Sequence, residues 1–527
     1  MLKTILQKPL VLLLSGAIIT ALILVFPILG ILQWISMIPI FMGIYLLFEK
    51  TEIKGRSSYL YGFLTVYAYY FVLYHWFVNL YPLDFVGLEK GAAAGVVAIA
   101  WLGLPILQAI PGGFIFVFYR LIRKAGIFER APILRPFAFS ALWVIFEWSS
   151  TLHWTGVPWG RLALGQIKLL PMLRSASLFG SYFVSFLILA VNGLLAYAIV
   201  FSEKRRFCAF MAAGILVGNL GYGIMIRFLP AQERAEDFVC AAVLQPNIGS
   251  QEKWSNAELI TMERCEEYTR NAAEEGARLV VLPETVFPSY LDDDDYLIEY
   301  CTFLAREYDV YLIVGAFYTD ENYDEYNGLY LFSPDGEMSE TVYGKRHLVP
   351  FGEYVPMRDF VSLIFPPLAD ISMLSSDLTP GEDSALFETE FGSIGSLICF
   401  DSIYEQLTLD SVRDGAELMV ISSNDSWFFD SAAVYQHQAQ AQLRAIESGR
   451  YILRSANTGI STIIAPNGEI LSWIDPLTEG YAVCEVSTLS RNTPYTVVGN
   501  LFVYLCVAFC AGLFGVGLVL KKREKQL

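Results

Sequence analysis

The sequence predicts a multi-span α-helical membrane domain joined to an α/β domain outside the cytoplasm. Three observations carry that expectation. Of the 527 residues, 55% are hydrophobic and the mean hydropathy is +0.46, too apolar for a water-soluble chain. The charges are segregated: 45 acidic and 14 basic residues lie between Pro230 and Arg491, while most other basic residues border apolar runs. Within that acidic region, strand-like apolar runs alternate with helical spacing, the pattern of an α/β domain.

The apolar runs come first. A hydrocarbon core of about 30 Å needs roughly 20 helical residues. Leu10–Gly30 meets that length. Lys3 and Lys8 precede it like the basic start of a signal peptide, but no small-residue cleavage site follows, so it reads as a retained anchor. Further spans are expected at Leu32–Phe48, Tyr59–Leu80, Ala92–Tyr119, Phe137–Trp148, Ala176–Phe201, Phe207–Phe228 and Leu501–Leu520. With the N-terminus cytoplasmic, the inner segments carry seventeen Lys and Arg residues and the short outer loops four, Lys90, Arg161, Lys168 and Arg174. The expected division is residues 1–229 as seven spans, 230–495 as the outer domain, and 496–527 as an eighth span with a basic cytoplasmic tail. Glu147, at the end of the fifth span, is expected at the interface. Trp148, Trp154 and Trp159 beyond it read as an interfacial aromatic belt.

Composition also excludes. A net charge of −17, concentrated in the outer domain, does not suit nucleic acid, which needs a basic face. The eight cysteines and four histidines form no CxxC, no HExxH and no paired metal spacing, and there is no G-x-x-x-x-G-K-[ST], so no metal and no cofactor are expected. Asp292–Asp295 reads as a solvated loop without calcium-loop spacing. Spacing leaves open any bridge among Cys240, Cys265, Cys301 and Cys484.

In the outer domain, Phe238–Gln245, Arg278–Glu284 and Val310–Phe317 read as strands, and 257–277 as a charged helix. Tyr330–Phe332 and Thr341–Tyr343, around Pro334-Asp-Gly336, read as a hairpin. Leu418–Ser422 is a further strand, Gln436–Gly449 a helix, and Tyr451–Arg454 with Ser461–Ile464 a last strand pair. Between them, Ile394–Ile398 forms a buried strand that ends at Cys399, with Asp401-Ser402 and a helical pattern directly after it. Such an elbow lifts the sulfur out of the sheet beside a helix N-terminus, which favours a thiolate. Alone, Cys399 also fits a buried structural cysteine.

Groups at strand ends are where α/β domains gather function. Glu284 ends a strand, and Lys345 lies in the loop Tyr343–Glu353. A thiol attacking an ester needs a base and donors for the oxyanion. Glu284 could supply the base. Lys345 could keep it ionised and face the oxyanion, with the Phe400 N–H as second donor. A dyad of Cys399 with His347 or His437 stays open, because His is the commoner partner of a nucleophilic Cys.

Leu-Pro-Glu284-Thr, Gly-Lys345-Arg-His-Leu-Val-Pro-Phe-Gly-Glu353-Tyr-Val-Pro and Ile-Cys399-Phe-Asp resemble the Glu–Lys–Cys motifs of the nitrilase superfamily. Ser423-Asn-Asp-Ser-Trp-Phe428, Arg454-Ser-Ala-Asn-Thr-Gly459 and the order of spans and outer domain resemble the apolipoprotein N-acyltransferase family within it. The resemblance covers essentially the whole chain. It implies an αββα nitrilase-like sandwich on an eight-helix membrane domain, with Glu284, Lys345 and Cys399 catalytic. Glu353, Trp254, Phe400 and Asp401 carry over as supporting positions. Phe400 and Asp401 depart from the family's usual Tyr and Glu.

The implied reaction is transfer of a fatty acyl chain from a phospholipid to the N-terminal amine of a diacylglyceryl-cysteine apolipoprotein, the final step of lipoprotein maturation. It would run ping-pong through a Cys399 thioester. The implied setting is the inner (plasma) membrane, multi-pass, with the outer domain periplasmic and the chain a monomer. The segment Tyr354–Pro380 reads equally as a mobile arm over the cleft and as ordinary packing. Two other readings remain: a membrane-tethered nitrilase-type amidohydrolase, for which eight spans have no evident use, and a transporter or scaffold with a degenerate enzyme domain, which the intact Glu284, Lys345 and Cys399 oppose.

Overall fold

Proline and glycine set where the apolar runs break. A computed structural model describes residues 8–49, 52–83, 89–201, 204–227, 238–253, 257–364, 376–524 and 526. The first helix runs Pro9–Val25 and stops before Pro27, which has no N–H to continue it, and Pro27–Leu32 follows as a 3₁₀ segment. The expected span Leu10–Gly30 is therefore shorter as an α-helix. The sixth begins at Ser181 rather than Ala176, because Gly180 at φ +78° breaks the path. Among the described residues, five helical stretches are long and apolar enough to cross a membrane: Pro27–Glu49, Lys90–Lys124, Ser181–Val200, Arg205–Arg227 and Leu501–Glu524. Pro9–Val25, Gly55–Leu73 and Leu134–Ser149 are the other main helices of the apolar regions.

The chain separates into two compact units, one of Met1–Val78, Val96–Leu229 and Val498–Leu527, the other of Asn79–Gly95 and Pro230–Val497. Inside the first, broken backbone finds polar partners, as it must where water is absent. Gln33 Nε2 donates to Leu162 O at 2.7 Å, and Gln166 Nε2 donates to Gly30 O at 2.9 Å. Glu147 corrects the interfacial expectation. It is buried, and it accepts hydrogen bonds from Leu162 N (3.0 Å) and Trp143 Nε1 (3.2 Å). The loop after its helix folds back and supplies the donor.

The second unit is built on two six-stranded sheets. The first holds β1 (Phe238–Gln245), β2 (Leu279–Val281), β3 (Tyr311–Thr319), β4 (Glu325–Phe332), β5 (Tyr343–Gly344) and β12 (Gly480–Ser487), in the order β12-β1-β2-β3-β4-β5. The second holds β6 (Leu386–Thr389), β7 (Gly392–Ile398), β8 (Leu418–Ser423), β9 (Ile452–Ala456), β10 (Ser461–Ile464) and β11 (Ile470–Ile474), in the order β11-β10-β9-β8-β7-β6. Parallel runs β1-β2-β3 and β7-β8-β9 form the centres, and their near-continuous apolar sequences fit strands covered on both faces. Helices Glu258–Glu274 and Asp295–Glu307 pack on the first sheet, Glu405–Asp414 and Ala432–Ser448 on the second. The sheets face each other, and hydroxyls stitch them: Ser422 Oγ donates to Leu282 O (2.9 Å) and Ser455 Oγ to Leu244 O (2.7 Å).

Two strand readings change. The strand expected to run to Glu284 ends at Val281, since Pro283 cannot donate to the ladder, and Glu284 lies in the turn beyond. The long hairpin is β3–β4, paired over Leu312–Phe332 to Thr319–Glu325, whereas β4 and β5 share two residue pairs.

The Glu284 turn lies directly on β3 at Gly315. A Cβ there would come 2.4 Å from Pro283 O and 2.6 Å from Thr285 N. Gly315→Ala is expected to destabilise the domain by roughly 1–3 kcal/mol through this overpacking. Thermal unfolding of the full chain reads it, and an unchanged midpoint would show that the turn does not sit on β3.

Candidate active site

β7 ends at Ile398, and Cys399 takes a left-handed backbone, φ +49°, a conformation that costs energy for a residue with a Cβ. Cys399–Ile403 is a 3₁₀ turn, and the α-helix starts only at Glu405. The expectation of a resting thiolate at a helix N-terminus is corrected here. Burial, then the negative charge of Glu284, push the Cys399 thiol well above its ordinary value, and the Lys345 charge opposes them without prevailing. One turn of 3₁₀ helix is too little positive end to reverse that balance.

The Glu284 turn and the β5 loop meet. Lys345 Nζ donates to Glu284 Oε1 and to Glu353 Oε1, at 2.8 Å each. Asn327 on β4 donates from Nδ2 to the same two oxygens, at 2.8 and 3.1 Å. Glu284 and Lys345 are buried, and Glu353 is nearly so. Burial alone would raise Glu284, but the charge and hydrogen bond of Lys345, the Lys253 charge and the Asn327 amide outweigh it and leave it below the usual carboxylate range. Burial likewise opposes the Lys345 charge, yet Glu284 and Glu353 hold its pKa well above normal. Glu353 goes the other way, raised by burial and by Glu284 against Lys345. Of the two carboxylates, Glu284 is the one whose charged form this surrounding favours, beside a sulfur that keeps its proton.

Asp401 links the Cys399 turn to the Lys345 loop. Its Oδ2 accepts from Ile398 N (3.1 Å), Tyr343 Oη (2.9 Å) and Arg346 N (3.5 Å), and its Oδ1 accepts from His347 N (2.7 Å). Burial lifts its pKa to about 6 against Lys345 and these donors, so it is a carboxylate at neutral pH. The Phe400 ring meets Tyr404 edge-on at 5.5 Å, and Tyr404 packs on His347 at 4.0 Å. His347 is lowered to about 4, by burial and then Arg346, and is neutral at pH 7. His437 lies close to Cys399, but both ring nitrogens are engaged, Nδ1 with Asp425 Oδ1 (2.8 Å) and Nε2 with the Cys399 carbonyl (3.1 Å). With both nitrogens engaged, His437 is not placed as the thiol's base. The ligand atoms of Cys399, Asp425 and His437 lie within 4.8 Å of one another, yet Arg454 donates to Asp425 Oδ2 at 2.6 Å, so a cation already occupies that carboxylate.

Sequence reading missed Lys253, Asn327, Asp425, His437 as a structural partner, and Arg454. Lys253 Nζ donates to Thr285 Oγ1 (2.6 Å) and to Glu284 O (3.3 Å). Burial lowers it to about 8, with Glu284 and Cys399 acting in the opposite sense. The signal was its place beside Trp254, which itself lies outside the described residues. Asn327 gave no signal. All eight cysteines are free thiols, which closes the question of bridges.

A two-sheet domain with a buried acid–lysine pair and a strand-end cysteine is a nitrilase-like domain, and residues 240–495 match the carbon-nitrogen hydrolase family model. Residues 15–194 match the model of the apolipoprotein N-acyltransferase N-terminal domain. A protein of Geobacter metallireducens named apolipoprotein N-acyltransferase is 31% identical over 511 residues, 94% of this chain and 93% of its own. One of the same name from Methylococcus capsulatus is 30% identical over 477 residues, 88% of each chain. The solved structure of Nit3 from Saccharomyces cerevisiae shares 21% identity, covering 48% of this chain and 90% of that one, with a TM-score of 0.38. The chain belongs to the apolipoprotein N-acyltransferase family and is an N-acyltransferase.

Two outcomes follow from the geometry. Iodoacetamide should alkylate resting Cys399 slowly at pH 7, with a rate that climbs through pH 9, because only the thiolate reacts and its proton is held. A rate that levels off below pH 8 would reveal a standing thiolate. Asp401→Asn turns an amide N–H₂ against backbone donors and should cost roughly 1–3 kcal/mol of stability. An unfolding midpoint equal to that of the unsubstituted chain would remove the link.

Proposed function

We propose that the chain transfers a fatty acyl group from a phospholipid to the N-terminal amine of a diacylglyceryl-cysteine apolipoprotein, with Cys399, Glu284 and Lys345 as catalytic residues. The observation that carries this reading is the Glu284–Lys345 pair, 2.8 Å long and buried, whose two charges both act on the Cys399 sulfur, in a chain of this family. In the first half-reaction Glu284 takes the thiol proton as the sulfur attacks the ester carbonyl. The C–O bond breaks, the proton passes to the departing oxygen, and a lysophospholipid leaves a thioester. In the second, the neutral lipoprotein amine attacks the thioester, Glu284 takes its proton, the C–S bond breaks, and the proton returns to sulfur. Lys345 and the Phe400 N–H serve the oxyanion in each half. Because thiol and carboxylate start as a neutral and an ionised group, the proton moves only when an ester is present to accept the sulfur.

Glu353, sharing Lys345 and Asn327 with Glu284, fixes the lysine rather than taking a proton. The spans and charge asymmetry support a multi-pass protein of the inner membrane with this domain on the periplasmic side and eight spans in all. The chain acts as a monomer. The helix Arg358–Ile364 exposes Met357 just before it and Phe360 and Leu363 on it, at 58, 56 and 81%. These tips support an arm that meets lipid. Residues 365–375, with Phe365, Leu368 and Leu374, lie outside the described residues. The amidohydrolase reading is not favoured, since the family membership extends through the membrane half.

Incubation with an alkyne-tagged phospholipid should add one acyl mass to the chain on Cys399, and Cys399→Ala should abolish it. Glu284→Gln and Lys345→Met should slow acylation by roughly 10²–10⁴-fold. An unmodified Cys399 in a preparation that still acylates lipoprotein would overturn the thioester route.

A further inference from the structure

Behind the nucleophile lies a buried polar assembly that the two half-reactions do not use. Asp425 Oδ1 accepts from Ser423 Oγ (2.9 Å) and pairs with His437 Nδ1 (2.8 Å), and Asp425 Oδ2 accepts from Arg454 (2.6 Å). Arg454 also donates to Ile460 O. Gly459 packs so closely that a Cβ would fall 2.2 Å from Asp425 Oδ2. From the other side of the ring, His437 Nε2–H donates to the Cys399 carbonyl at 3.1 Å, and Ser402 Oγ donates to the same oxygen at 2.7 Å. Ser402 Oγ and His437 Nε2 are themselves 3.1 Å apart. Ser402, Asp425, His437 and Arg454 are all buried to 1% exposure or less.

Taking charges this deep out of water is costly, and in general apolar packing would serve stability as well. What this assembly holds is one carbonyl. A trans peptide is planar, so the Cys399 C=O and the Phe400 N–H point in opposite directions. Two donors gripping that carbonyl fix the direction of the N–H. They also hold the left-handed Cys399 backbone, which would otherwise relax.

We propose that Ser402 and the Asp425–His437–Arg454 cluster are positioning residues, which aim the Phe400 N–H at the oxyanion by clamping the Cys399 carbonyl. The assignment rests on Cys399 being the nucleophile. It gives a purpose to two sequence motifs, Ser423–Phe428 and Arg454–Gly459, that the acid–lysine–thiol set leaves unused.

The test compares two reactions of the same sulfur in the full-length protein in detergent with phospholipid. Acylation by phospholipid needs the oxyanion donor, whereas alkylation by iodoacetamide does not. Ser402→Ala should slow acylation about tenfold and His437→Asn about a hundredfold, a loss of one donor or of the ring that ties the carbonyl to Asp425. The phospholipid concentration for half-maximal rate should stay within twofold, and alkylation within threefold. Acylation and alkylation falling in step would mean a merely structural role and would overturn the proposal. So would acylation at the unsubstituted rate in both variants. Should His437→Asn not fold, Ser402→Ala, which removes a single hydroxyl, decides alone. Failure of the unsubstituted chain to be acylated overturns the nucleophile reading and this assignment with it. Acylation of the unsubstituted chain with unimpaired variants overturns this assignment only.

Discussion

The site depends on one ammonium buried between two carboxylates. Lys345 reaches Glu284 and Glu353 at equal distances, and neither acid could stay charged at that depth without it. The lysine in turn needs its place fixed. Its backbone N–H donates to Asn327 O at 2.8 Å, and Asn327 itself bonds both acids. Removing any one of the four leaves a buried charge or donor unpaired, which is why the group behaves as a unit.

The two sheets divide the labour. The first supplies the acid, the lysine and the asparagine through the turn after β2, the β5 loop and β4. The second supplies the sulfur at the end of β7. Asp401 crosses between them, since it bonds Ile398 on the second sheet and Tyr343 on the first. A side chain one methylene longer would have to kink to keep the same four donors, so the shorter acid fits this gap. The rear of Cys399 is held within the second sheet alone, by β8, β9 and the helix Ala432–Ser448.

Glu284, Lys345 and Cys399 were legible because each stands at the end of an apolar run, where polarity changes abruptly. The central parallel strands were legible for the same reason. Half-exposed β6, β11 and β12 were not, because their burial is mixed and their sequences carry no clean alternation. Gln436, His437, Gln438, Gln440 and Gln442 are polar and stand all around their helix, yet all are buried, for that helix is covered on nearly every side. Sequence polarity reports solvent only where tertiary packing does not override it. The Asp401 bridge was equally hidden, since its partners are mostly backbone N–H groups. The thiolate expectation failed because depth outweighed helix-end charge, and depth is not written in local sequence.

The pairing of the first strand with the last has a consequence for biosynthesis. Phe238 on β1 lies opposite Ser487 on β12, so the first sheet gains its outer strand only after nearly the whole domain has been made. The acid, the lysine and the sulfur come from positions 284, 345 and 399, far apart along the chain. A polypeptide cut short before β12 therefore carries all three groups yet lacks the strand that borders β1 in the first sheet. A chain released early thus holds the residues but not the finished sheet beneath them.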